Sequence, residues 1–216
     1  MHRYQHGFTL VEIAIVLVII GLLLGGVFKG QELINSAKVK NLAGDFRSIP
    51  LFIYAYQDKF KRLPGDDPLV TSHLGATATL ATTPVGSKAG NGIIEGDWNS
   101  TDLTNENVLF WQHIRLAGLA TGSTDFSTTG TAGLPANAEG GQVGMQMTAP
   151  ILEMSGTYYL CSSGLNGKLA QQLDVNLDDG TPNRGSLRAQ ETATDKTKPG
   201  DTAYEGNKSY VVCQAF

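Results

Sequence analysis

The chain has 216 residues, with 16 Lys and Arg against 20 Asp and Glu and a formal net charge of −4. Mild acidity without a basic cluster argues against nucleic acid as a partner. Once the apolar N-terminal segment is set aside, enough chain remains for one modest globular domain.

Residues 1–7 form a short leader whose firm positive charge is Arg3. From Phe8 to Phe28 the chain is apolar apart from Thr9 and Glu12, and no charged side chain occurs between Ile13 and Phe28. A run of this length is enough to cross a hydrocarbon core of about 30 Å. An acid inside such a helix costs about 2.5–3.5 kcal/mol at the centre of the bilayer and less near its edge. Glu12 lies close to one end, and its retention marks it as a functional residue in need of a positive partner. A cut between Gly7 and Phe8 would supply one, a new α-amino group four residues before Glu12. Two other readings stand beside this. A secretory signal peptide would have a shorter apolar core and a small-residue cleavage pattern, which does not follow Phe28. A plain membrane anchor would carry Glu12 incidentally.

Gly7-Phe8-Thr9-Leu10-Val11-Glu12, with the leader before it and the apolar helix after it, resembles the processing site of type IV prepilins and type II secretion pseudopilins. The resemblance covers about the first 60 residues. It implies that a prepilin peptidase cleaves after Gly7 and N-methylates Phe8, and that Glu12 meets the amino group of a neighbouring subunit. Implied with it are an inner-membrane location with the bulk of the chain in the periplasm, an inner-membrane assembly machinery, and a filament made of copies of this chain or of other pilins. The implied role is structural, as a pilus subunit. A type II secretion pseudopilin is the alternative, and a bitopic envelope binding protein that does not polymerise is a second.

After Phe28 the apolar residues Leu33, Ala37, Leu42, Phe46, Ile49, Ile53, Tyr56 and Phe60 recur every three to five positions. That spacing predicts an amphipathic helix over 29–63, continuous with the membrane segment and with Pro50 as a kink site. Gly21, Gly25, Gly26 and Gly30 favour close helix packing. Leu63-Pro64-Gly65-Asp66-Asp67-Pro68 ends the helix and opens the head, residues 64–216. Thr71 to Gly90 reads as a long loop, and Thr104-Asn105-Glu106 starts a second helix that runs to Gly118 and covers one face of a sheet. Gly118 to Gly141 is again loop-like.

The last third predicts strands at 144–148, 157–161 and 173–177, a turn at 178–183, a return over 186–189 and a terminal strand over 209–213. The fold class is α+β, a long N-terminal helix packed on an antiparallel sheet, as in pilins. Cys161 and Cys213 both end β-like runs. In an exported domain the two are expected to pair, with buried free thiols as the other reading and no metal-ligand spacing around either. A disulfide-closed region near the C-terminus is common in type IV pilins, which leans the resemblance that way, although the loop enclosed here is long.

Chemistry is sparse elsewhere. Asp174, Asn176 and Asp178 alternate like the first half of an EF-hand loop and are calcium candidates. However, Gly180 falls one position late, and Gly185 stands where a bidentate Glu is needed. Strand alternation accounts for the same residues. The 90–97 stretch is similarly loop-like, with Asp66 and Asp67 able to join it in space, but it does not match the calcium motif of the family. His73 and His113 are isolated, with His113 expected at the surface or its boundary. No nucleophile or nucleotide-binding motif occurs. The chain is not expected to be an enzyme or to need a cofactor.

Overall fold

The computed structural model describes residues 9–82, 89–126 and 133–216. Gly7 and Phe8, at the expected cleavage site, lie outside the described residues. The elements are α1 (Leu10–Phe60), α2 (Val70–Leu74), α3 (Glu106–Leu116), β1 (Val143–Gln146), β2 (Tyr159–Asn166), α4 (Gly167–Leu177), β3 (Leu187–Glu191) and β4 (Ser209–Ala215). This is an α+β fold. The chain forms two compact units, divided after Lys38 within α1.

The first unit is the N-terminal part of α1. Leu, Ile and Val dominate it, and its large apolar side chains are exposed, Leu17 and Leu23 at 64% and Leu22 at 74%. The second unit begins where the apolar residues narrow to a stripe. Val39, Leu42, Ala43, Phe46, Ile49, Ile53 and Tyr56 are buried, at the three-to-four-residue spacing of a single helix face. Leu33, which the spacing placed in that stripe, is exposed. The helix stays continuous through Pro50 and stops at Phe60, where Lys61 takes a positive φ of 56°. Gly65 makes the next turn at φ +92°, and a Cβ there would run into the backbone carbonyl of Glu106. Only glycine lets the 63–66 segment lie against the start of α3.

The sheet is antiparallel throughout, in the order β1-β2-β4-β3. Alternation along the strands separates two cores. Met145, Leu160, Leu165, Leu187, Ala189, Tyr210 and Val212 share one cluster with the α1 stripe, with Phe110 and Trp111 of α3, and with Ala170 and Leu173 of α4. Tyr159, Cys161, Val211, Cys213 and Ala215 belong to the second, with Trp98, Ile151 and Met154. Cys161 and Cys213 are register partners on β2 and β4, with Cα atoms 4.1 Å apart, and they form a disulfide. Directly opposed residues of antiparallel strands are the close pairs that a bridge can span.

Several expectations are corrected. Residues 173–177 are the end of α4, not a strand. Asn166 caps that helix by accepting the Leu169 amide at 3.1 Å, and Leu169, Ala170 and Leu173 form its buried face while Val175 points to solvent. The 186–189 segment therefore pairs with β4 and not back across the 178–183 turn. The loop expected over 71–90 contains most of α2.

Candidate functional site

The described residues begin at Thr9, just before the first helical residue of α1. Its backbone amide and its hydroxyl both donate to Glu12 Oε2 at 2.8 Å, and the Glu12 amide donates to Thr9 Oγ1 at 3.2 Å. This reciprocal arrangement is a capping box, with Thr at the N-cap and Glu three residues on. The spacing Thr-x-x-Glu is legible in the sequence, and reading Glu12 only as an intramembrane acid missed it. The carboxylate thus has partners within its own chain, and it sits at the electropositive end of a helix. Its second oxygen, Oε1, is left for another donor.

Beyond Glu12, α1 is long and apolar enough to cross a membrane, and none of its most apolar stretch is buried within the chain. Each Leu, Ile or Val side chain withdrawn from water contributes about 1.5–3 kcal/mol, so an uncovered run of this length demands lipid or other helices around it. The polar surface resumes at the exposed Lys29–Glu32 ion pair, 2.6 Å.

In the head, the acidic residues after α1 organise the turn. Tyr56 donates to Asp67 Oδ2 at 2.8 Å, His73 Nδ1 meets the same oxygen at 2.6 Å, and the Leu69 amide bonds Asp67 Oδ1 at 2.9 Å. Burial, then the Asp67 carboxylate, pushes the Tyr56 hydroxyl far up in pKa, so it remains a donor. Asp66 accepts the amides of Gly90, Asn91 and Gly92, which folds the 89–92 loop around it. His113, expected near the surface, is fully buried. Its Nδ1 accepts the Gly65 amide at 2.8 Å and its Nε2 donates to the Thr79 carbonyl at 2.9 Å. Burial holds its pKa down to about 4, and it is a neutral structural crosslink.

The calcium candidates separate. Asp174, Asp178 and Asp179 bring ligand oxygens within 4.8 Å of one another. Asn176 turns away to accept Arg47 at 3.1 Å. Asp174 is already bonded by the Gly180 amide and the Tyr204 hydroxyl, and Asp178 by the Leu187 amide, so these carboxylates close the turn after α4. A groove of about 250 Å³ between α1 and α3 is lined by Asp45, Ser48, Phe52, Trp111 and Arg115. Its Ser48 hydroxyl donates to the Gly44 carbonyl and is not paired with a base.

Comparison with family models matches residues 2–28 to the prokaryotic N-terminal methylation motif. No curated protein matches the chain, and no solved structure does.

Proposed function

We propose that the chain is a structural subunit of a type IV pilus or a closely related filament, a reading supported by residues 2–28, which carry the prepilin-type methylation motif of type IV pilins and pseudopilins. The observation that carries this reading is the motif joined to a capped Glu12 and an uncovered apolar helix.

In this reading a prepilin peptidase cuts after Gly7 and methylates the new terminal Phe8, whose amine keeps its positive charge. The apolar segment 8–28 holds the subunit in the inner membrane with the head in the periplasm. On assembly, packing of these helices against one another replaces the lipid contacts. Glu12 then accepts the amino terminus of an adjacent subunit. At 4 Å and an effective dielectric of 20 that attraction is about 4 kcal/mol and halves when the separation doubles, which favours one axial register. The head performs no catalysis and forms the outer surface. The Cys161–Cys213 bridge in the head leans the reading to a pilus subunit. A type II secretion pseudopilin is the alternative, because the 52-residue separation of the two cysteines is long for a pilin loop and weakens that lean.

Co-expression with a prepilin peptidase tests the reading. Mass spectrometry should find the chain shortened by seven residues and ending in N-methyl-Phe8, with Gly7→Asp blocking both changes. An intact Met1 in peptidase-positive cells would refute it.

A further inference from the structure

Eleven asparagines occur in the chain, and two of them, Asn99 and Asn207, are followed two residues later by Ser or Thr: Asn99-Ser100-Thr101 and Asn207-Lys208-Ser209. Both also have an acid two residues before, Asp97 and Glu205. The fold presents the two copies alike. The Ser100 amide donates to the Asp97 carbonyl at 2.8 Å, and the Lys208 amide to the Glu205 carbonyl at 3.0 Å. Each Asn is therefore the third residue of a four-residue turn that begins at the acid. Asn99, Thr101, Asn207 and Ser209 are all exposed. No hydrogen bond among the described residues engages either asparagine side chain. Turns favour Asn, and an Asp at their start, on conformational grounds alone. That preference accounts for neither Glu205 nor the two hydroxyls.

We propose that Asn99 and Asn207 are acceptors for N-linked glycosylation, taking an oligosaccharide from a polyprenyl-diphosphate donor in the inner membrane. Asn, any residue but proline, then Ser or Thr is the acceptor sequence for that modification in exported proteins, and an exposed loop is the context it needs. Residues two apart share one face of an extended segment. Opening the turn thus lines up acid, amide and hydroxyl on one side, as a transferase groove would read them. Ser209 opens β4, so the second acceptor asks only for the end of a strand to fray. Each acid meets a surface lysine, Asp97 with Lys196 at 2.6 Å and Glu205 with Lys208 at 2.8 Å. Solvent-facing pairs of this kind contribute little, so a basic group of the enzyme can replace the lysine. In the transfer the Asn side-chain nitrogen bonds to C1 of the reducing-end sugar. The C1–O bond breaks, polyprenyl diphosphate leaves with the electron pair, and the amide gives up one proton. The inference rests on export of the head. Within the filament reading it assigns a face: both turns lie on the outer surface, because a hydrated oligosaccharide does not pack into a subunit junction.

The test uses the full chain, expressed in a bacterium that carries an oligosaccharyltransferase and a polyprenyl-diphosphate-linked oligosaccharide of known mass. Peptide mapping by mass spectrometry should find one oligosaccharide on Asn99 and one on Asn207. Asn99→Gln and Asn207→Gln should each remove one. Thr101→Ala and Ser209→Ala should do the same at their own sites, with Thr101→Ser restoring the first. Asp97→Ala and Glu205→Ala should each lower occupancy at their own site by about tenfold, the loss of one charge-assisted contact. In every variant the untouched site reports that the chain is exported and folded. Bare Asn99 and Asn207 in a chain whose Cys161–Cys213 bridge has formed would overturn this proposal and leave the filament reading standing. Free thiols with an intact Met1 would overturn both. Sugar retained in Thr101→Ala and Ser209→Ala, or both positions bare in chain taken from its own cells, would also overturn the proposal.

Discussion

One helix, α1, contains two kinds of hydrophobicity. In its first unit the apolar residues occupy every face and none of the large ones is covered; Leu22 is 74% exposed. From Val39 to Tyr56 one stripe of them is buried, with Leu42 and Tyr56 at 0%, while Leu51 and Tyr54 lie off it and are exposed. Backbone conformation is the same in both halves. What differs is the medium that each surface requires: the buried stripe of the second half is covered by its own chain, whereas the first needs lipid or other helices around it. Between Leu10 and Phe28, within the half that the fold leaves uncovered, Glu12 is the one acid, and its carboxylate is held by Thr9.

The largest effect is expected at that acid. Glu12→Val should leave membrane insertion intact or improved, and filament assembly should nearly vanish. Valine removes the charge and the carboxylate half of the capping box, while the residue-12 amide can still donate to Thr9 Oγ1. Glu12→Gln separates the two, because glutamine serves in a capping box but carries no charge. It should fail in assembly almost as completely as valine, while Glu12→Asp keeps the charge with a shorter reach and is intermediate. Sheared-filament yield, or secreted cargo for a pseudopilin, reads the outcome in a strain with the variant as sole copy. Normal assembly with Glu12→Gln would show that the capped helix start, rather than an intersubunit ion pair, is what the motif preserves.

The next test sets the two halves of α1 against each other. Both tryptophans, Trp98 and Trp111, are buried in the head, so their fluorescence reports on that unit. Phe46→Ala removes a ring that is 1% exposed and should cost about 3–5 kcal/mol in urea unfolding of the detergent-solubilised chain. Leu23→Ala, although it deletes a comparable apolar side chain, should shift the same transition by no more than about 0.5 kcal/mol. Equal shifts would mean that the exposed half supports the head after all, and the division of labour within α1 would fail.

The contrast also explains what was legible before the fold. Long periodic signals read well: the uniform apolar run, the stripe from Leu42 to Tyr56, the second helix and the terminal strand all occur as expected. Residues 173–177 misled because five alternating positions satisfy a strand, whereas the helical face set by Leu169, Ala170 and Leu173 and the cap at Asn166 emerge only over a longer window. His113 was illegible for another reason. Its two partners, the Gly65 amide and the Thr79 carbonyl, arrive from 48 and 34 residues away, and nothing local announces them. The bond from the Glu95 amide to Glu106 shares that origin, since the loop and α3 meet only in the folded head. Glu12 is the opposite case, a local cap fully written in Thr-x-x-Glu, in which the same carboxylate also stands out as an acid in an apolar run.

The smallest expected effect belongs to His113, and it distinguishes the head as an ordinary water-facing globule from a helix whose medium is apolar. Burial lowers the folded-state pKa to about 4, while the unfolded value stays near the ordinary 6.5. Below pH 6.5 the unfolded chain takes up a proton that the folded head refuses. The contribution is therefore complete above pH 6.5 and is lost as pH falls towards 4. At pH 5 the gap is 1.5 pH units, so about 2 kcal/mol should be lost relative to pH 7. Glu106 titrates in the opposite sense, because its raised pKa favours the fold in acid. The measurement must therefore be a difference, the wild-type chain against His113→Gln, with urea unfolding at pH 7, 6 and 5. Glutamine cannot charge, so the variant starts less stable at pH 7 after losing the ring contacts, and the gap should close by about 2 kcal/mol at pH 5. A gap independent of pH would mean that His113 reaches solvent in the folded head, and the crosslink between Gly65 and Thr79 would not be the rigid element described here.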